Sequence, residues 1–151
     1  MIRKVLILNG PNLNLIGKRE ISIYGLKKIN YINKYLFLKY LNRKFLFHIF
    51  QSNSENEILN FLQINFRFYN GLIINLASLS YNSYSLRDFI INLKIPVIEV
   101  HLSNISNRKE KFRSNSIVSS VSTGVCFGFG EYSYLIALEW YLYYFNLKFF
   151  L

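Results

Sequence analysis

The sequence predicts an α/β domain built on a parallel, doubly wound sheet with helices on both faces. Apolar runs of strand length recur along the chain at residues 5–8, 45–50, 71–75, 95–101 and 124–128. These runs are nearly continuously apolar rather than alternating, as expected of strands buried on both faces. The longer segments between them repeat apolar residues every three or four positions, the spacing of an amphipathic helix. Strands alternating with helices in this way build a parallel sheet with crossover helices.

Taken in order, the first run ends in the polar turn Asn9-Gly10-Pro11-Asn12-Leu13-Asn14-Leu15-Ile16. Gly10 permits backbone angles that other residues resist, and Pro11 fixes one angle beside it. The charged Lys18-Arg19-Glu20 then leads to Tyr24-Gly25. Ile29, Ile32, Leu36 and Tyr40 mark a first helix, and Ile58, Leu59, Leu62 and Phe66 a second. Leu86, Phe89, Ile90 and Leu93 mark a third, after which Pro96 restarts an extended stretch. Ile136, Trp140 and Tyr143 mark a last helix beyond Gly128 and Gly130. Five strands and four helices match the flavodoxin-like three-layer sandwich with a five-stranded parallel sheet. No internal repeat or linker divides the chain, so residues 1–151 read as one domain.

Composition narrows the function classes. The hydrophobic fraction is 52%, sufficient for a core. Eighteen Lys and Arg against eight Asp and Glu give a net charge of +10. The basic residues are scattered and form no run of five, which argues against a nucleic-acid arm. The abundance of Asn, Ile, Lys, Phe and Tyr touches buried and exposed segments alike, so the charge reads as compositional drift. One cysteine, Cys126, excludes an internal disulfide and fits a reducing, cytoplasmic setting. Its apolar neighbours make it a buried structural thiol. Arg3-Lys4 is followed by only four apolar residues before Asn9, too few for a signal peptide. The aromatic tail at 132–151 is interrupted by Glu139 and Lys148, so it reads as a packed terminal helix rather than a membrane span.

In a sheet of this class, ligands bind beyond the carboxyl ends of the strands. Those positions hold Asn12, Arg19 and Tyr24 after the first strand, then Gln51-Ser52-Asn53 after the second. Asn75 and Ser78 to Ser80 follow the third, and Glu99, His101, Leu102, Ser103 and Asn104 lie on or after the fourth. Arg108 and Arg113 come next. Glu99 and His101 are two apart on one strand and so share a face. A carboxylate beside an imidazole fixes its tautomer and raises its basicity, which suits proton donation; a purely structural pair would use the same residues. Tyr24 lies five residues after Arg19 in one loop. A phenol ordinarily titrates at about 10, and a guanidinium close by favours the phenolate, a potential base. No metal site emerges, since His48 and His101 sit in separate strands without cysteine partners. His48 reads as a packed or edge residue. There is no dinucleotide fingerprint, Walker loop or nucleophile elbow.

These residues, in this order, resemble the type II 3-dehydroquinate dehydratases. The carrying motifs are LNGPNLNLIGKRE at 8–20 with Tyr24-Gly25, FQSNSENE at 50–57, Asn75 in LIINLAS, Leu86-Arg87-Asp88, VIEVHLSNIS at 97–106 and GVCFGFG at 124–130. The resemblance spans nearly the whole chain. It implies a flavodoxin-like fold, a homododecamer arranged as a tetramer of trimers, and conversion of 3-dehydroquinate to 3-dehydroshikimate and water. It further implies no metal or organic cofactor and no Schiff base. Carried over, Tyr24 takes a proton from C2, Arg19 keeps the phenol ionised, and Asn12 helps hold a water that stabilises the enolate. His101, oriented by Glu99, protonates the departing C1 hydroxyl. Asn75, Tyr81, Leu102, Ser103 and an arginine grip the substrate, and Asp88 reaches a neighbouring subunit's site.

The sequence departs from the family pattern in places. Tyr81 stands where a substrate-binding histidine is usual, Leu76-Ala77 replaces a stretch that usually contains Gly, and Ser54 and Ser106 stand where histidines are common. The loop at 108–113 is one residue longer between its arginines. Arg113 best matches the substrate-binding arginine, and Arg108, or else Lys109, the lid residue. Two other classes remain as alternatives: a catalytically degenerate flavodoxin-like binding protein of the same family, which would be favoured if Tyr24 or His101 were absent, and a nucleic-acid binder, suggested by charge alone.

Overall fold

The structure is a computed structural model and describes residues 2–18, 27–40 and 45–147. Five strands form one sheet: β1 (Arg3–Asn9), β2 (Phe45–Gln51), β3 (Gly71–Asn75), β4 (Val97–His101) and β5 (Gly124–Phe127). Every neighbouring pair is parallel, and the spatial order is β2-β1-β3-β4-β5. This is the flavodoxin-like order expected from the sequence, with its reversal between β1 and β3. Register there pairs Asn9 with Asn75, so two amide side chains end the adjacent strands at the switch point.

Four α-helices are present among the described residues: α1 (Ile29–Tyr40), α2 (Glu55–Asn65), α3 (Tyr84–Ile91) and α4 (Tyr132–Leu147). Alternation along β1 sends Val5 and Ile7 into one core with α1 and α4, and Leu6 and Leu8 into another with α2 and α3. Helix α2 is capped by Ser54, whose hydroxyl accepts the Glu57 N–H, with Glu55 and Glu57 in its first turn. Ser83 caps α3 in the same way through the Leu86 N–H.

The expected boundaries shift by small, explicable amounts. Strand β4 starts at Val97 rather than 95, because Pro96 has no N–H to give the ladder. Strand β5 stops at Phe127, where Gly128 turns to φ +89°. The last helix is where it was expected, yet two of the three residues that marked it face outward: Ile136 is 45% and Tyr143 64% exposed. Its inner face is Tyr134, Leu135, Ala137, Leu138, Tyr141 and Phe145. A helix apolar all round gives no periodic signal to tell its sides apart. Among the described residues, no helix is long and apolar enough to cross a membrane. Cys126 is half-buried rather than buried, and desolvation raises its thiol pKa. His48, on the edge strand β2, shares a hydrogen bond with the Tyr69 hydroxyl at 3.1 Å.

Tyr141 crosses from α4 to the start of β3. Its hydroxyl accepts the Leu72 N–H at 2.9 Å and lies 2.7 Å from the Pro96 carbonyl. The ring fills the space beside Gly71, where an added Cβ would come within 2.2 Å of it. Because the phenol is pinned at its tip and buried, the ring cannot step aside. Gly71→Ala should therefore destabilise the fold by about 2 kcal/mol or more, measured as a fall in the thermal unfolding midpoint. Gly71→Ala combined with Tyr141→Leu should recover part of that loss.

Candidate active site

The sheet reversal opens a crevice at the carboxyl ends of β1, β3 and β4. It forms a cleft of about 550 Å³. The backbone shapes its near wall first. The Gly10 N–H donates to the Asn75 carbonyl at 2.7 Å, and a Cβ at Gly10 would meet the Leu76 carbonyl oxygen at 2.4 Å. Only glycine allows the two chain segments to lie this close. Asn12 then adopts φ +65°, and its N–H is held by Asn53 Oδ1 at 2.9 Å. Asparagine tolerates that left-handed conformation better than most residues. Across the crevice Ala77 sits at φ +52°, a strained conformation for a residue with a Cβ.

At the centre, His101 lines the cleft while its Nε2–H donates to Glu99 Oε1 at 2.8 Å. Glu99 has no exposed surface. Ser116 Oγ donates to Glu99 Oε1 at 2.5 Å, and Ser119 Oγ donates to Oε2. Burial by itself would raise the carboxyl pKa; the hydrogen bond and charge of His101, with the two serines, outweigh it and hold Glu99 below the usual carboxylate range. With Nε2 committed to Glu99, Nδ1 is the ring nitrogen left to carry a proton toward the cleft.

Asn12, Asn75, Tyr81, Leu102, Ser103, Arg108 and Arg113 all line the same cleft as His101. Arg108 Nη2 donates to Ser103 Oγ at 2.9 Å. Arg108 faces the cleft, whereas Lys109 is exposed and does not line it. Arg113 leans over Phe112 at 5.5 Å, and the Phe112 ring meets Tyr81 edge-on at 6.4 Å. Two guanidinium groups at one mouth suit an anionic ligand, a carboxylate in particular. Asp88 is not at this cleft; it lies exposed on α3 beside Arg87. Arg19 and Tyr24 lie outside the described residues. Among the described residues, no group of three or more His, Cys, Asp or Glu could hold a metal ion.

The sequence reading missed Ser116 and Ser119, which clamp Glu99. It also missed Tyr134, which joins Asn9 to Asn75 behind the cleft. Serines in a serine-rich loop carry no spacing signal, and a tyrosine among twelve is not singled out by type.

Comparison with known proteins gives a consistent result. A sequence model described as Dehydroquinase class II matches residues 3–142. The 3-dehydroquinate dehydratase of Halothermothrix orenii is 43% identical over 138 residues, covering 91% of this chain and 93% of that protein. That of Dictyoglomus turgidum is 44% identical over 143 residues, covering 95% and 98%. The crystal structure of a type II dehydroquinase from Butyrivibrio crossotus superimposes with a TM-score of 0.87 at 34% identity, covering 91% of this chain and 96% of that one.

The Glu99 clamp should make stability depend on pH. The folded-state pKa lies below the unfolded value of about 4.3. The stabilisation is therefore fully present above about pH 4.3 and is lost as pH falls through the folded-state value. Urea unfolding between neutral pH and pH 3 should show wild type losing stability more steeply than Glu99→Gln. Parallel curves would contradict the assignment.

Proposed function

This chain belongs to the class II dehydroquinase family, and from that premise we propose that its cleft removes water from 3-dehydroquinate to give 3-dehydroshikimate through an enolate, with no Schiff base. The observation that carries the chemistry is His101, held by a buried Glu99 through one ring nitrogen and facing a cleft lined by two arginines.

The sequence of steps is the one the family resemblance implies. Tyr24, ionised with the help of the Arg19 guanidinium, takes the proton from C2 beside the ketone. The C–H electrons move into an enolate. Asn12 holds a water that donates to the enolate oxygen, the role of an oxyanion donor. The enolate then collapses, the C1–oxygen bond breaks, and His101 donates a proton so that the hydroxyl leaves as water. One hydrogen leaves C2 and one hydroxyl leaves C1, so the atoms balance without a redox step. Acid, base and oxyanion donor are all supplied by side chains and water, so the proposed route needs no metal or organic cofactor. Asn75, Tyr81, Leu102 and Ser103 hold the ring hydroxyls. Arg113 takes the carboxylate, with Arg108 as the lid residue, a reading supported by its place in the cleft and its bond to Ser103.

We further propose that the chain is cytoplasmic and assembles as a homododecamer, a tetramer of trimers, in which Asp88 serves a neighbouring subunit's cleft. Its exposure on α3, away from its own cleft, supports that role.

Mixing the purified protein with 3-dehydroquinate should produce the ultraviolet absorbance of the enone product. Tyr24→Phe and His101→Ala should each lower kcat by roughly 10²–10⁴-fold or more while circular dichroism stays unchanged. A folded wild type that generates no absorbance refutes the proposal. Tyr81→His should leave KM unchanged or lower it; a severe rise in KM would instead show that the pocket is built around the phenol.

A further inference from the structure

Behind the cleft, a buried tyrosine on α4 bridges the ends of the two central strands. Tyr134 is 1% exposed; its hydroxyl lies 2.6 Å from Asn9 Oδ1 and 2.9 Å from Asn75 Nδ2. We infer that Tyr134 is a positioning residue: by donating its one proton to Asn9, it turns the Asn75 amide so that the carbonyl oxygen faces the cleft.

The argument is an accounting of protons. A phenol has one hydrogen to donate, and its oxygen can accept others. If the proton goes to Asn9, the phenol oxygen must be an acceptor for Asn75, which commits one N–H of the Asn75 amide and leaves Oδ1 for a ligand. If both amides were reversed, Asn9 would donate to the phenol, the phenol would donate to Asn75, and the cleft would meet a donor instead. The two separations distinguish these cases. A contact of 2.6 Å is short for N–H···O but ordinary for O–H···O, while 2.9 Å is the usual N–H···O length. The phenol is also held protonated, since burial raises its pKa well above the ordinary range. The chosen direction leaves Asn9 Nδ2 buried without a hydrogen-bond partner among the described residues. That unmet donor is the cost of the orientation fixed at Asn75 on the neighbouring strand.

The consequence for binding rests on the dehydratase reading. An acceptor fixed at Asn75 selects a ligand that presents a hydroxyl proton there. It also gives α4, a helix that supplies no cleft-lining residue, a part in substrate recognition.

The test uses the full-length protein, labelled with ¹⁵N. Asn75→Ala identifies the Asn75 side-chain amide signal by its loss. In wild type this amide pair should be protected from solvent exchange, and Tyr134→Phe, which keeps the ring but removes the hydroxyl, should abolish that protection. With 3-dehydroquinate, Tyr134→Phe should lower kcat/KM by roughly tenfold, mainly through KM, as expected for one lost hydrogen bond. The pH profile of kcat should not move. In an Asn75→Ala background the same substitution should have no further effect on KM, whereas a merely structural role for Tyr134 would add its full loss. If Tyr134→Phe fails to fold, Asn9→Ala, which removes the acceptor of the phenol proton, should release the Asn75 amide in the same way. An unchanged Asn75 signal, or additive losses in KM, overturns the inference. A wild type without turnover refutes the dehydratase reading alone, and the amide signal then decides this inference.

Discussion

Glu99 has no exposed surface, and a carboxylate in such a place must be hydrogen-bonded or charge-paired to stay ionised. His101 meets one oxygen and the loop serines meet both, so three side chains from two segments, the strand and the loop, converge on one buried charge. That convergence fixes where the segment after β4 can run. It fixes the imidazole's tautomer, and through it which nitrogen meets the cleft. The sheet order provides the crevice, and the buried carboxylate determines what the crevice can do.

Much of this was legible before any coordinates. The continuous apolar runs pointed to a parallel sheet, and the position of Asn12, Asn75 and His101 after strand ends pointed to one crevice, which all three line. What the sequence could not disclose depends on pairing between distant residues. Ser116 and Ser119 look like loop polarity until the strand beside them is known. Tyr134 is one aromatic residue in a segment dense with them, and its partners lie 125 and 59 positions away. The inner face of α4 was misjudged for the related reason that residues apolar on every side carry no phase. Gly10 was recognisable as a turn glycine, but its need to pass within contact of the Leu76 carbonyl belongs to the third dimension alone.

The two walls of the cleft are shaped by unlike means. On the β1 side, Gly10 makes room for a close approach of two backbones, and Asn12 holds a left-handed conformation that suits it. On the β3 side, Ala77 holds a similarly unusual conformation with a side chain that does not suit it. Leu76 beside it is wholly buried.

The arginine-bearing segment is fastened at both ends to the same short stretch of chain. Arg108 is tied to Ser103 at its start, and Ser116 is tied to Glu99 at its finish. It is a strap of fixed span rather than a free flap. Only its middle can bow, so seating an anion there would freeze few additional degrees of freedom, and little of the attraction would be spent on ordering. The far anchor of the strap is the same buried carboxylate that holds His101, so the two arginines and the imidazole belong to one mechanical element.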